Sequence, residues 1–73
     1  MGKLKVLTAK QVLKKLKKAG FVEIHQRGSH LTLKNNRGKF VTVPMHRGDI
    51  PIGTLYNIVV KQAGLSVDEF NKL

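Results

Sequence analysis

Apolar positions recur at a helical spacing in the first and last thirds of this chain and alternate in the middle third. Ala9, Val12, Leu13, Leu16 and Ala19 form one helical stripe, while Lys10, Lys14, Lys15, Lys17 and Lys18 fill the remaining faces. Thr8 has the character of an N-cap, and Gln11 three residues on completes a capping box. Gly20 stands where a helix ends with a left-handed residue. The spacing therefore predicts a helix over 9–19, preceded by a short tail, Lys3 to Leu7.

Three strand-like runs follow. FVEIHQ (21–26) is rich in β-branched and aromatic residues, and Arg27-Gly28-Ser29 reads as a turn. HLTLK (30–34) alternates: Leu31 and Leu33 face one way, while His30, Thr32 and Lys34 face the other. Asn35-Asn36-Arg37-Gly38 is a second turn, in which Asn and Gly are expected to supply positive φ, and KFVTV (39–43) is a third strand stopped by Pro44. Turns this short imply an antiparallel meander with helices on one face, which leaves His30 on the exposed face.

After the loop PMHRGDIP (44–51), Pro51 suits the first turn of a second helix. Ile52, Leu55, Ile58, Val59 and Ala63 supply its apolar stripe, and Gly64 closes it. Ser66 with Glu69 forms another capping box, opening a short C-terminal helix around Phe70 and Leu73. The expected fold is α+β: α-β-β-β-α with a three-stranded antiparallel sheet, helices on one face and a short extra C-terminal helix. A length of 73 residues, 41% of them hydrophobic, supports one small domain spanning 1–73. There are no internal repeats, linkers or low-complexity segments.

Composition changes the picture through charge. Fourteen Lys and Arg against four Asp and Glu give a formal net charge of +10. So much positive charge on a small body favours polyanions, nucleic acid first. A solvated face and an acidic protein partner are the competing explanations. The absence of cysteine excludes disulfides and thiolate metal sites and suits a reducing, cytoplasmic setting. No apolar run approaches membrane-spanning length, and the basic opening leads into a lysine-rich amphipathic segment rather than the apolar stretch of a secretion signal. The opening MGKLKV begins like an N-myristoylation site but carries Val6 where Ser or Thr is required.

A helix, three strands and a helix with a basic surface are the arrangement of a double-stranded-RNA-binding domain, which reads A-form shape and phosphates. Such domains carry a lysine cluster where the second helix begins. Here the segment reads IPIGTLYNIVVKQ, with no lysine before Lys61. The stretches VLKKLKKAGFVEIHQRGSHLTL, VTVPMH and IPIGTLYNIVVKQAGLSVDEF, in that order and spacing, resemble the HicA family of toxin endoribonucleases. The likeness runs from about Thr8 to Phe70. It implies a ribosome-independent mRNA interferase that uses no cofactor and is paired with a HicB-type antitoxin. The family's catalytic histidine falls on the motif matched here by Gly28-Ser29-His30, so the resemblance gives His30 that role.

The residues support the same role on their own chemistry. RNA cleavage needs a base for the 2′-hydroxyl proton, an acid for the departing 5′-oxygen, and cations for the phosphorane. Imidazole can serve as either acid or base near neutral pH. Gly28 would let a phosphodiester come close to the backbone. Arg27, Ser29, Lys34, Arg37, Lys39 and Arg47, together with Gly28, are the expected RNA contacts. His46 is a candidate for the second proton transfer or for a phosphate contact. His25, sharing its strand with Glu23, reads as structural. Ser29 is a poor nucleophile, since no Asp is placed to orient a histidine for it. Glu23, Asp49, Asp68 and Glu69 are too scattered to suggest a metal. A non-catalytic RNA-binding module of the same fold is the alternative function, and the free chain is expected to be a monomer.

Overall fold

A computed structural model describes residues 3–73; Met1 and Gly2, which carry the partial acylation signal, lie outside it. The Thr8 capping box forms as the sequence requires: Thr8 Oγ1 accepts from the Gln11 N–H at 3.2 Å, and Gln11 Oε1 accepts from the Thr8 N–H at 2.9 Å. Helix α1 (Ala9–Lys18) follows and buries Ala9, Val12 and Leu16. It ends in a Schellman turn, with Gly20 at φ 98° and the Phe21 N–H returning to Leu16 O at 3.0 Å.

Strands β1 (Val22–Arg27), β2 (His30–Lys34) and β3 (Phe40–Pro44) make one antiparallel sheet in the order β1-β2-β3. Each outer strand begins and ends one residue later than its sequence run suggests. Pro44 is tolerated as the last residue of an edge strand because it has no N–H to offer the ladder. On β3's free edge, Gln62 Oε1 accepts from the Thr42 N–H at 2.8 Å.

Leu31, Leu33, Val41 and Val43 point to the helices and are almost fully buried, with Phe21, Ile50, Leu55, Ile58, Val59, Ala63 and Phe70 completing one contiguous core. β1 projects beyond the helices and is exposed at every position. A β-bulge between Glu23 and His25 makes Ile24 the unpaired extra residue. Simple alternation would put Glu23 and His25 on one face; the bulge separates them. Glu23 pairs with Leu33 on the helix side and meets Lys17 of α1 at 2.6 Å, while His25 pairs with Thr32 on the open face.

Pro51 is the N-cap of α2 (Ile52–Tyr56), one position earlier than expected. The helix continues as a π-helical segment, Asn57–Gln62, in which the Ala63 N–H reaches back five residues to Ile58 O. The widened turn coincides with Ile58-Val59-Val60, three β-branched side chains of the kind that crowd an α-turn. Ile52, expected in the buried stripe, is 43% exposed. The Ser66–Glu69 capping box opens α3 (Val67–Asn71), whose Phe70 is buried. Lys15 is not a solvated charge: its ammonium donates to Phe70 O and Leu73 O and holds down the end of α3. Residues 3–7 are also tied in place. Asn71 donates to Lys3 O at 3.0 Å, and the Ile50 N–H donates to Leu7 O at 2.8 Å. No helix among the described residues is long and apolar enough to cross a membrane.

Candidate functional site

The open face of the sheet follows from its register. Across the three strands lie Val22, Lys34 and Phe40; then His25, Thr32 and Thr42; then Arg27, His30 and Pro44. His30 is exposed at the start of β2, as its alternation predicts.

A two-residue turn sets this position. Gly28 has φ 60° and Ser29 does not share the positive φ, the signature of a type II′ hairpin with glycine first. Gly28 is thus required by turn geometry. A Cβ there would meet nothing within 4 Å, so the outside of the turn is open to an incoming phosphodiester as well. Gln26 Nε2 donates to Gly28 O at 3.2 Å and braces the turn from its core-facing side.

The second histidine arrives from the other side. β3 ends opposite His30, where Pro44 pairs with it, and the Met45 N–H donates to Ser29 O at 2.6 Å. This bond carries the pairing one residue past the strands and steers the following loop toward His30. The His46 ring then stands 6.4 Å from the His30 ring, centre to centre, with the planes at 82°. Both rings are exposed. Arg27 pairs directly with His30, and Arg47 follows His46 in sequence. The chain therefore gathers two imidazoles at one end of the sheet, with a guanidinium next to each in pairing or in sequence. Such a group can pass protons in both directions and attract a phosphate.

The expected RNA contacts do not all belong to that end. Arg27, Gly28, Ser29 and Arg47 do. Lys34 sits at the far end of β2, its ammonium 5.4 Å from the centre of the Phe40 ring. Arg37 and Lys39 lie farther still, in the β2–β3 turn and just after it. Four strand steps of about 3.3 Å separate His30 from Lys34. Arg37 and Lys39 instead line a groove of about 530 Å³ with Lys72, Glu69 and the end of the π-helical segment. Glycine supplies the positive φ in this turn (Gly38, φ 80°), and the asparagines do not. Asn35 serves through its side chain, Oδ1 accepting from the Arg37 and Lys39 N–H groups at 3.0 and 2.9 Å. In this groove the Glu69 carboxyl is held below its ordinary range, first by the Ser66 backbone N–H, then by the Ser66 hydroxyl, with smaller help from Arg37 and Lys72. Three cations expected at the His30 site, Lys34, Arg37 and Lys39, thus lie at the opposite end of the sheet.

His25 shares the open face with His30 but lies in a different cross-strand row. Among the described residues, no three His, Cys, Asp or Glu side chains converge as a metal-binding group. A family model described as HicA toxin of bacterial toxin–antitoxin matches residues 9–65, a span that holds both rings of the pair and the whole sheet. No curated protein sequence matches the chain significantly.

Proposed function

The chain belongs to the HicA toxin family of bacterial toxin–antitoxin systems, and from that premise we propose that it is a metal-independent endoribonuclease acting on mRNA, with His30 and His46 as the proton-transfer pair. The observation that carries this reading is the facing of two exposed imidazoles at 6.4 Å. Cleavage by in-line attack puts the 2′-oxygen and the departing 5′-oxygen on opposite sides of phosphorus. Base and acid must therefore flank the phosphate, each within hydrogen-bond reach of its oxygen. Rings standing edge to face with a gap between them suit that demand, whereas a stacked pair would not.

In the proposed step one imidazole takes the 2′-hydroxyl proton as that oxygen bonds to phosphorus. The P–O5′ bond breaks, and the other imidazolium protonates the leaving oxygen. The products are a 2′,3′-cyclic phosphate and a 5′-hydroxyl, with atoms and charge balanced. Arg27 and Arg47 offset the charge that builds on the phosphorane. His30 is the residue on which we place the catalytic weight.

We also infer that a HicB-type antitoxin restrains the toxin by covering the open sheet face. Val22 and Phe40 are 60% and 48% exposed on the face that carries His30, and an apolar partner surface would bury both. The deciding experiment is cleavage of RNA by the purified chain in EDTA beside a His30→Ala variant with an unchanged circular-dichroism spectrum. We expect cleavage by the parent and a loss of about 10²-fold or more in the variant. Equal cleavage by both would remove His30 from the chemistry, and RNA bound but cut by neither would reduce the protein to a binding module.

A further inference from the structure

Behind the imidazole pair a cleft of about 320 Å³ opens between the start of α1, at Thr8, Ala9 and Lys10, and the loop residues Met45, His46 and Arg47. We propose that this cleft receives a single unpaired nucleobase of the RNA, the one adjoining the linkage that is cut. The inference rests on the nuclease reading and adds to it a determinant of substrate choice.

His46 joins the two places. One side of its ring faces His30 across 6.4 Å, and the same residue walls the cleft. A phosphate held between the rings would thus have the cleft within one nucleotide's reach. The lining matches a base in kind. Met45, packed against the core, and the buried Ala9 make an apolar floor. The His46 imidazole and the Arg47 guanidinium are flat groups of the type on which unpaired bases stack. Lys10 and Arg47 add cations for the flanking phosphates.

The cleft is also held in shape. The Ile50 N–H donates to Leu7 O at 2.8 Å, and Thr8 forms a β-bridge with Asp49, so the loop is fastened to the entry of α1 on one side. On the other side the Met45–Ser29 bond fastens it to the turn before His30. Gly48, at φ 85°, lets the loop double back between those two anchors. A volume near the lower end for ligand pockets admits one nucleoside and excludes a base still paired to its complement. The larger groove at the other end of the sheet, lined by Arg37, Lys39 and Lys72, has apolar walls of its own in Phe21, Ala63 and Leu65 but no imidazole beside it.

The test is an NMR titration of the full chain with each of the four nucleoside 3′-monophosphates, and with ribose 5-phosphate as a probe that has no base. We expect shifts centred on the Met45 methyl, Ala9 and Gly48, and nucleotide affinity about fivefold or more above the base-free probe, the lower end of what stacking one base contributes. Equal affinity for all five, or shifts centred on Arg37 and Lys39, would overturn the proposal. Met45→Trp fills the cleft and should remove the base-dependent shifts and flatten the base preference at the cut site; Met45→Phe serves if the larger ring prevents folding. An unchanged preference in a folded variant would also overturn it. Nucleotides bound in the cleft of a chain that cuts no RNA would sink the nuclease reading and leave the base site standing. Cleavage without base-dependent binding would do the reverse.

Discussion

The two ends of the sheet are built from the same parts and do different things. Each has a glycine turn, Gly28 at one end and Gly38 at the other, and each has arginine or lysine beside it. One end brings two imidazoles together edge to face. The other brings together Arg37, Lys39 and Lys72 around a carboxylate, with no histidine. Positive charge is thus spread over both ends, while groups that can exchange protons near neutral pH meet at one. Electrostatics accounts for where RNA would be drawn, and only the imidazole end offers a reason for it to be cut.

The sharpest way to break that comparison is to treat the three histidines separately. His46→Ala should lower the cleavage rate by about 10²-fold or more, as expected for one member of an acid–base pair. His25→Ala, exposed on the open face in the neighbouring row but outside the pair, should leave the rate within a factor of about two, since its ring is not one of the two that flank the phosphate. Single-turnover rates on one RNA would measure both. A His25 effect as large as that of His46 would show that the sheet face acts as a whole, and the division between the ends would fall.

A smaller effect separates charge from chemistry. The double change Arg37→Glu with Lys39→Glu removes two cations from the far end. If that end only grips the backbone, RNA affinity should fall, and the slope of log K against log salt should become shallower by roughly 0.7 for each phosphate no longer neutralised. The rate at saturating RNA should hold. A fall in that saturated rate with an unchanged salt slope would place the far end in the chemistry.

How much of this can be read from the chain depends on how local each feature is. Both capping boxes, the Gly20 stop, the buried pattern of β2 and the outward aim of His30 follow from neighbours within a turn or a strand pairing, and the sequence carries them openly. The bulge at Ile24 does not show, because it is a property of the pairing between β1 and β2. Alternation alone therefore misses its consequence, Glu23 turned to α1 and His25 turned away. The approach of His46 to His30 depends on the Met45–Ser29 hydrogen bond, a contact between distant parts of the chain. The true place of Arg37 and Lys39, by contrast, is legible. A residue beyond the end of a five-residue strand cannot lie beside the residue that begins it, and the run HLTLK already marks out that strand. Lys15 teaches something else: an amphipathic pattern marks it as solvated, yet its length lets it reach back to the carbonyls that end α3.

The smallest expected effect concerns stability at the far end, where one carboxylate is already committed to structure. Glu69 Oε1 accepts from the Ser66 N–H at 2.9 Å, and this bond is the main reason its carboxyl stays charged below the ordinary value of 4.5, with Arg37 and Lys72 adding to it. A pKa lower in the folded than in the unfolded chain means that the unfolded chain takes up the proton first as pH falls. The stabilising contribution is therefore complete above about pH 4.5 and is lost as the pH drops through the lowered folded value. Glu69→Gln keeps an oxygen for the capping bond and removes the titration. Melting temperatures of parent and variant should differ by a few degrees at most at neutral pH, in favour of the parent, and converge on acidification. The Arg37→Glu, Lys39→Glu chain should show a weaker version of the same pH dependence, since part of what holds Glu69 charged has been reversed. A gap between the parent and the Glu69→Gln variant that widens in acid would mean that the carboxylate is strained by its surroundings, and that the far end keeps its cations for RNA alone.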